Sequence, residues 1–332
     1  MPTTRGSISG TQGYLDRVRE VYADVAQQPD AALCCVDGVL RTLPGLVVPG
    51  RMYEMNYGCG STVEPDDLAG DGAILYVGVG GGLEALQLAY FRRRPGGVIA
   101  VDPVPEMRSE AARNLEEAAR LNPWFRPEFV SLLDGSATAL PVGDATVGLA
   151  AQNCLFNVFA QNDLAAALLE IRRVLEPGGR FVTSDPITTA PLPDALRNDT
   201  TLRARCVAGC VSYERYVGSL VDAGFGEVMI RARRPYRLLL PIEYPELDEP
   251  ILLESLDAVA RPTPDDHGPS RIFTGRTATY AGPHETTTAN SGFVFRRGIP
   301  AAVSDSVAEH LAGRADFVLT PPTWSVRSAG CC

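Results

Sequence analysis

Short apolar runs alternate with amphipathic stretches through the middle of the chain, and this alternation is the strongest indication of its fold. Apolar runs predict strands over 74–77, 98–102, 129–132, 147–152 and 180–184, and helical spacing predicts helices over 83–92, 106–121 and 163–175. Strands that alternate with helices usually form a parallel sheet covered on both faces. The pattern therefore predicts an α/β domain with a doubly wound sheet.

The segments on either side of this core have a different character. Residues 11–27 have the spacing of an amphipathic helix, and the irregular stretch 34–64 predicts a lid or substrate loop. After residue 185 the pattern predicts a helix over 213–223, a strand over 226–232, a proline-spaced region over 235–265 and an antiparallel strand over 273–280. We expect an N-terminal helix and cysteine-bearing loop (1–65), a nucleotide-binding domain (66–190) and an α+β C-terminal substrate or lid region (191–332).

A glycine-rich turn follows the first predicted strand, with glycines at 78, 80 and 82. Such a turn fits several nucleotide folds, so it needs a partner residue to be informative. Asp102 ends the next strand at a spacing suited to binding ribose hydroxyls, and the less favoured alternative is that it caps the following helix. No Gly-Lys-Ser/Thr sequence follows the turn, which favours a cofactor without pyrophosphate.

Charge and composition exclude several classes of partner. The chain has 332 residues, and 30 Lys and Arg against 40 Asp and Glu give a net charge of −10, which disfavours nucleic-acid binding. The sequence shows no secretory signal and no run long enough to span a membrane, so we expect a cytoplasmic protein without a membrane partner. Eight cysteines in such a protein are expected to be reduced.

Three of these cysteines are placed to meet a ligand. Cys154 closes the apolar strand that starts at 147, and the carboxyl end of such a strand faces the ligand crevice. Cys59 and Cys206 lie on either side of the nucleotide domain, and only three histidines exist for a harder metal site. Structural zinc is disfavoured because paired Cys-x-x-Cys spacing is missing. The alternatives are thiolate ligands for a soft electrophile and small buried side chains.

The order of motifs over about 60–185 resembles class I S-adenosylmethionine-dependent methyltransferases. The resemblance rests on the glycine turn, Asp102, the stretch 135–141 and the sequence Leu-Glu-Pro-Gly-Gly-Arg before the fifth strand. It implies S-adenosylmethionine as cofactor, with contacts from Tyr57, Gly78, Gly80, Gly82, Asp102, Pro103, Ser136 and Asn153. Tyr76 and Ser136 stand where the family usually has acidic residues, which leaves Asp102 as the main carboxylate, with Asp134 as a neighbour.

The cysteine motifs are similar to those of arsenite methyltransferases, in particular the branch associated with arsenosugar biosynthesis. The motifs are Asn-Tyr-Gly-Cys-Gly at 56–60, Asn153-Cys154, Arg205-Cys206 and the upstream pair Cys34-Cys35, with further likeness at 152–157, 231–238 and 330–332. The resemblance implies that Cys59, Cys154 and Cys206 hold trivalent arsenic as arsenite or methylarsenite. Cys34 or Cys35 would deliver arsenic to the site or form a disulfide with a ligand cysteine. A reductant of the glutathione or thioredoxin type, which can be a partner protein, would then reduce that disulfide.

The chemistry is consistent with this resemblance, because trivalent arsenic prefers thiolates and three sulfur ligands leave its lone pair as the nucleophile. Two other functions stay open: methyl transfer to a small organic acceptor, and arsenic binding without catalysis. Cys210 is expected to pack in the core or to act as a spare thiol. Cys331 and Cys332 form either an arsenic-capturing dithiol or an untethered tail, and residues 235–332 form either a lid or a partner surface. We assign no role to the arginine run 231–237.

Overall fold

The computed structural model describes residues 11–30, 33, 41–262, 271–289 and 292–323, with the side chains of Thr11 and Gln12 left out. Cys34, Cys35, Cys331 and Cys332 lie outside the described residues. In these ranges none of the helices has the length and apolar character needed to cross a membrane.

Thirteen strands and nine α-helices make up the described part of the chain. The helices are α1 (Thr11–Gln27), α2 (Gly50–Glu54), α3 (Leu83–Phe91), α4 (Pro105–Leu121), α5 (Gln161–Val174), α6 (Asp194–Arg197), α7 (Thr200–Ala204), α8 (Tyr213–Asp222) and α9 (Asp305–Leu311). The strands are β1 (Ala73–Val77), β2 (Val98–Asp102), β3 (Val130–Asp134), β4 (Val147–Asn153), β5 (Leu175–Thr188), β6 (Glu227–Leu239), β7 (Ile251–Arg261), β8 (Arg271–Phe273), β9 (Thr277–Tyr280), β10 (Thr286–Thr288), β11 (Val294–Arg296), β12 (Pro300–Ala302) and β13 (Phe317–Leu319).

Eight strands form the main sheet, in the order β3-β2-β1-β4-β5-β7-β6-β8. The first five pair in parallel, as the alternation of strands and helices predicts. β7 runs antiparallel to both β5 and β6, so the complete sheet is mixed. The strand order reverses between β1 and β4, and the crevice outside the carboxyl ends of these strands is where such sheets bind ligands.

Two apolar clusters cover the two faces of the sheet. One contains Phe156, Phe181 and Phe225, and the other contains Leu86, Leu88 and Leu115, which α3 and α4 contribute. The strands between them are apolar on both faces because each face is covered, which is why their sequences read as continuous apolar runs. The α/β fold with a doubly wound sheet predicted from the sequence is confirmed.

The C-terminal third differs from the prediction in two places. The predicted strand 273–280 is two strands in different sheets, β8 and β9, because the chain turns at Gly275 with φ of 79°. The proline-spaced region contains β7, which is sandwiched between β5 and β6. Prolines flank β7 at positions 250 and 262 and none lies within it, so β7 keeps its own N–H donors.

A small module follows the main sheet. Strands β12, β9 and β13 form an antiparallel sheet, and β10 and β11 form a hairpin. Tyr280, Phe295 and Phe317 form its core with α9 residues Ala308 and Leu311. The main sheet extends beyond residue 190 through β6, β7 and β8, while the division of the chain at 65 and 190 stays a prediction.

Candidate functional site

A pocket lies at the point where the strand order reverses, outside the carboxyl ends of β1, β2 and β4. Seven of the eight cofactor contacts implied by the sequence line it: Tyr57, Gly78, Gly80, Asp102, Pro103, Ser136 and Asn153. The eighth, Gly82, is at the N-cap of α3 and does not line the pocket. Asp134 is exposed, pairs with Arg108 and does not line the pocket.

The glycine turn forms the floor of the pocket. Gly78, Gly80 and Gly82 have φ values of 83°, 51° and 88°, which a residue with a side chain adopts only at a cost. This conformation turns the chain from β1 into α3 and brings backbone N–H groups near the start of the helix to the pocket wall.

Asp102 braces the same turn. Its carboxylate accepts a hydrogen bond from the backbone N–H of Val79 at 3.0 Å and another from the N–H of Val104 at 2.9 Å. Val104 is the N-cap of α4 and the helix has no side-chain cap, so Asp102 holds the turn before the helix rather than capping it. Burial raises the pKa of Asp102 to about 6, with the two N–H groups acting in the opposite direction. Asp102 therefore both holds the glycine turn through Val79 and lines the pocket.

Asn153, at the end of β4, holds the loop that contains Cys59. Its side-chain oxygen accepts from the backbone N–H of Cys59 at 2.9 Å, and its side-chain nitrogen donates to the carbonyl of Gly60 at 2.9 Å. A Cβ on Gly58 would lie 2.5 Å from the Asn153 amide nitrogen. Glycine at position 58 is therefore what lets the loop approach this amide.

A second cluster holds the other side of the Cys59 loop. The Cys59 sulfur lies 3.4 Å from the Ser184 hydroxyl, which donates to Asp257 at 2.7 Å, and Asp257 in turn accepts from Arg234 at 2.6 Å. A Cβ on Gly60 would lie 2.3 Å from the Ser184 oxygen and 2.4 Å from an Asp257 oxygen. These side chains come from β5, β6 and β7, so Cys59 packs where the antiparallel strands join the parallel ones.

Cys154 and Cys206 share an unusual backbone conformation. Their φ values are 59° and 55°, and Ala145 is the one other non-glycine residue of the described ranges with positive φ. Such conformations persist only where surrounding structure enforces them, and they concentrate at functional sites. The Cys206 thiol donates to the backbone carbonyl of Cys154 at 2.9 Å. The structure thus brings these two cysteines, 52 residues apart in sequence, into contact.

A buried carboxylate enforces the turn at Cys154. Asp185 accepts from the N–H of Phe156 at 3.1 Å, and the side chain of Gln152 accepts from the N–H of Leu155 at 2.9 Å. Asp185 also accepts from the Tyr216 hydroxyl at 2.6 Å. Burial raises the pKa of Asp185 to about 6, and these donors oppose the rise.

The thiols of Cys59, Cys154 and Cys206 are all buried, and Cys154 lines the pocket. Within the described ranges no group of three His, Cys, Asp or Glu side chains is close enough to hold a metal ion. Arsenic ligation by all three cysteines would therefore require side-chain or loop rearrangement. Cys210 is buried, as expected for a residue that packs in the core, and its thiol donates to the Cys206 carbonyl at 3.1 Å. Both cysteines follow the end of α7 at Ala204.

Sequence reasoning missed Glu84, Ser184 and Asp257. Glu84 is in the first turn of α3, is 6% exposed and lines the pocket. Its position directly after the glycine turn could have indicated that Glu84 lies near the pocket. The position of Ser184 at the end of a predicted strand could have done the same for Ser184. Asp257 carried no signal, because its strand was hidden in the proline-spaced region.

Comparison with known proteins adds sequence and fold relatives. Residues 75–183 match the family Methyltransf_11, described as a methyltransferase domain. The arsenite methyltransferase of Halobacterium salinarum is 32% identical over 177 residues, which cover 53% of this chain and 43% of the relative. The arsenite methyltransferase of Aquipseudomonas alcaligenes is 30% identical over 209 residues, covering 62% of this chain and 58% of the relative.

The chain thus spans about half the length of these curated relatives. Among solved structures, the arsenic(III) S-adenosylmethionine methyltransferase CrArsM of Chlamydomonas reinhardtii superposes with a TM-score of 0.60 at 21% identity, covering 83% of this chain and 94% of that one. At this identity the superposition establishes the fold. Residues 75–183 therefore match a methyltransferase domain, the chain has the class I methyltransferase fold, and its predicted sequence resemblance to arsenite methyltransferases is confirmed.

Proposed function

We propose that this protein transfers a methyl group from S-adenosylmethionine to trivalent arsenic held by the thiolates of Cys59, Cys154 and Cys206. The observation that supports it most is that Cys154 lines the pocket and that hydrogen bonds link its neighbourhood to both Cys59 and Cys206. Asn153 accepts a hydrogen bond from the backbone N–H of Cys59 and donates one to the carbonyl of Gly60. The backbone carbonyl of the neighbouring Cys154 accepts a hydrogen bond from the Cys206 thiol. Arsenite methyltransferases are also the relatives that the sequence matches.

The proposed reaction needs no side-chain base. The arsenic lone pair attacks the sulfonium methyl, an As–C bond forms, and the C–S bond breaks with its electron pair moving to sulfur. No histidine lines the pocket in the described part of the chain, in agreement with a nucleophile that carries no proton. The contribution of the protein is to hold the lone pair and the methyl carbon in line.

Methyl transfer oxidises arsenic from the trivalent to the pentavalent state. Two thiols that form a disulfide would supply the two electrons for return to the trivalent state, and a reductant of the glutathione or thioredoxin type would reduce that disulfide. We assign the disulfide to one ligand cysteine with Cys34 or Cys35, which lie outside the described residues. We place this activity in the cytoplasm, in detoxification or arsenosugar assembly.

The test is direct measurement of the product. Protein, S-adenosylmethionine, arsenite and a thiol reductant are incubated, and methylarsenicals are separated by chromatography with element-specific mass detection. We expect methylarsenicals from the wild type and none from Cys154→Ser. Arsenite binding without any product would indicate an arsenic-binding protein, whereas cofactor binding without arsenite binding would favour a small organic acceptor.

A further inference from the structure

A second carboxylate besides that of Asp102 lines the pocket, that of Glu84. Tyr76 and Cys154 line the pocket as well, next to Glu84 and Asn153 respectively. Glu84 belongs to the first turn of α3, where the positive end of the helix dipole favours a carboxylate.

The Glu84 carboxylate is the acceptor in each of its hydrogen bonds. The backbone N–H of Thr62 donates at 2.9 Å, the Thr62 hydroxyl at 2.9 Å and the Tyr76 hydroxyl at 2.8 Å. Burial raises the pKa of Tyr76 well above 10, so its hydroxyl stays a donor. Burial raises the pKa of Glu84, and these donors, together with the Asn153 side chain, oppose the rise because they stabilise the ionised carboxylate.

These bonds leave the negative charge of Glu84 without a cationic partner. Among the described residues that line the pocket, Arg19 is the one with a cationic side chain, and it pairs with Asp16 on the outer face of α1, where the arginine side chain is 48% exposed. An isolated buried carboxylate is costly unless a cation joins it. The pocket is therefore complementary to a ligand with a positive group beside Glu84.

We propose that the carboxylate of Glu84 binds the α-ammonium group of the methionine part of S-adenosylmethionine. This inference rests on the cofactor named in the proposed function, and it assigns the contact to a residue of α3 rather than to the end of β1. Tyr76, which stands at the end of β1 where an acidic residue is usual, acts as a positioning residue because its hydroxyl donates to Glu84.

The same contact would connect the cofactor to the Cys59 loop. Glu84 holds both the N–H and the hydroxyl of Thr62, three residues after Cys59. The methionine end of the cofactor would therefore lie beside the proposed arsenic ligands, with the adenosine end toward Asp102.

Calorimetric titration with three ligands tests this assignment. S-adenosylhomocysteine carries the ammonium and carboxylate groups, its deaminated analogue carries only the carboxylate, and methylthioadenosine carries neither. We expect Glu84→Gln to weaken S-adenosylhomocysteine binding about 10- to 100-fold, the range for a lost hydrogen bond between charged groups. Binding of the deaminated analogue and of methylthioadenosine should change by less than about threefold, because neither offers the ammonium.

Two control variants separate charge from architecture. Tyr76→Phe removes one hydrogen bond and keeps the carboxylate, so the ratio of the three affinities should stay close to that of the wild type. Glu110→Gln removes a similarly buried carboxylate outside the pocket, at 8% exposure, and should leave all three affinities unchanged. If Glu84→Gln does not fold, the wild type still provides the test, because it should bind the deaminated analogue about 10- to 100-fold more weakly than S-adenosylhomocysteine.

Equal weakening of all three ligands by Glu84→Gln would overturn the assignment and leave Glu84 as a support for the Thr62 loop. Equal affinity of the wild type for S-adenosylhomocysteine and its deaminated analogue would overturn it as well. A wild type that binds none of the three ligands would instead contradict the proposed cofactor, so the two failures are distinguishable.

Discussion

The thiol of Cys206 donates a hydrogen bond to the backbone carbonyl of Cys154 at 2.9 Å, and both residues have a left-handed backbone conformation. This contact joins the turn after β4 to the turn after α7. It means that one proposed arsenic ligand helps to hold the backbone of another, so the two cysteines are coupled before any ligand binds.

Substitutions at Cys154 can measure the cost of this backbone conformation. A non-glycine residue in the left-handed region is destabilised by about 1–2 kcal/mol relative to glycine. Cys154→Ala and Cys154→Gly should both lack arsenite methylation, but Cys154→Gly should have the higher free energy of unfolding, by about 1 kcal/mol. Urea denaturation of the two variants provides the comparison, and an alanine variant as stable as the glycine variant would contradict an enforced left-handed turn.

The hydrogen bond itself can be kept while the sulfur is removed. Cys206→Ser retains a donor for the Cys154 carbonyl, whereas Cys206→Ala leaves that carbonyl without this donor at a cost of about 1 kcal/mol. We expect Cys206→Ser to unfold near the wild-type temperature and to bind S-adenosylhomocysteine normally, with arsenite methylation lost. Retained methylation in Cys206→Ser would remove Cys206 from the proposed ligand set.

The close packing of the Cys59 loop predicts that Gly60 does not accept a side chain. In Gly60→Ala the new Cβ would lie 2.3 Å from the Ser184 oxygen, so the loop must shift. Overpacking of this kind costs about 1–3 kcal/mol. We expect a loss of about 100-fold in kcat/KM for arsenite, the effect of displacing a reacting group by about 1 Å.

Gly50→Ala is the matched control for this loop variant, because its Cβ would meet no atom within 4 Å and its φ is not positive. It should retain wild-type kinetics and stability. Cofactor affinity should change little in Gly60→Ala, since Gly60 does not line the pocket. A Gly60→Ala enzyme with normal arsenite kinetics would show that the position of Cys59 does not limit the reaction.

Removing the support beneath Cys59 should affect arsenite more than the cofactor. Asp257→Asn weakens the ion pair with Arg234 and disturbs the acceptor of the Ser184 hydroxyl. We expect a higher KM for arsenite, about 10-fold, from the loss of a hydrogen bond to a charged group. Glu254→Gln, which breaks the neighbouring pair with Arg233, is the control, and equal effects of the two variants would indicate a general loss of strand stability.

The raised pKa of Asp102 predicts how pH affects cofactor binding. Its pKa is about 6 when folded, against 3.8 as an ordinary carboxyl, because of burial. If the ionised carboxylate accepts the ribose hydroxyls, affinity for S-adenosylhomocysteine should be full above pH 6 and should fall by up to about tenfold per pH unit below it. Titrations across this range should show the fall in the wild type and not in Asp102→Asn.

The raised pKa of Asp102 makes the stability of the ligand-free protein fall with rising pH, whereas it makes cofactor affinity rise. A carboxyl whose pKa is raised on folding favours the folded state when protonated, so this contribution is present below about pH 4 and is lost as pH rises through about 6. Asp185 adds to the effect, because burial raises its pKa to about 6 too. Thermal unfolding with and without S-adenosylhomocysteine should show ligand stabilisation that grows over this pH range.

The sequence by itself determined the parallel part of the fold and the region of the pocket. Regular alternation of apolar strands and amphipathic helices reflects local periodicity, and the glycine turn and Asp102 follow their strands directly, so their meeting at the sheet edge follows from the topology of parallel strands. Asn153 and Cys154 were placed by the same rule. Strand β7 was not found, because prolines on both sides of it obscured an apolar run whose pairing partners are 12 or more residues away in the chain.

The tertiary structure alone decided how the site is held together. Cys206 meets Cys154 across 52 residues, Cys59 meets Ser184 across 125, and Asp257 reaches Ser184 across 73. No local pattern encodes such contacts, because they depend on the order in which strands enter the sheet and on the direction of each side chain. Glu84 illustrates the difference: its place in the chain was visible in the sequence, but its burial and lack of a cationic partner arise only when α1, α3 and β4 pack around the same pocket.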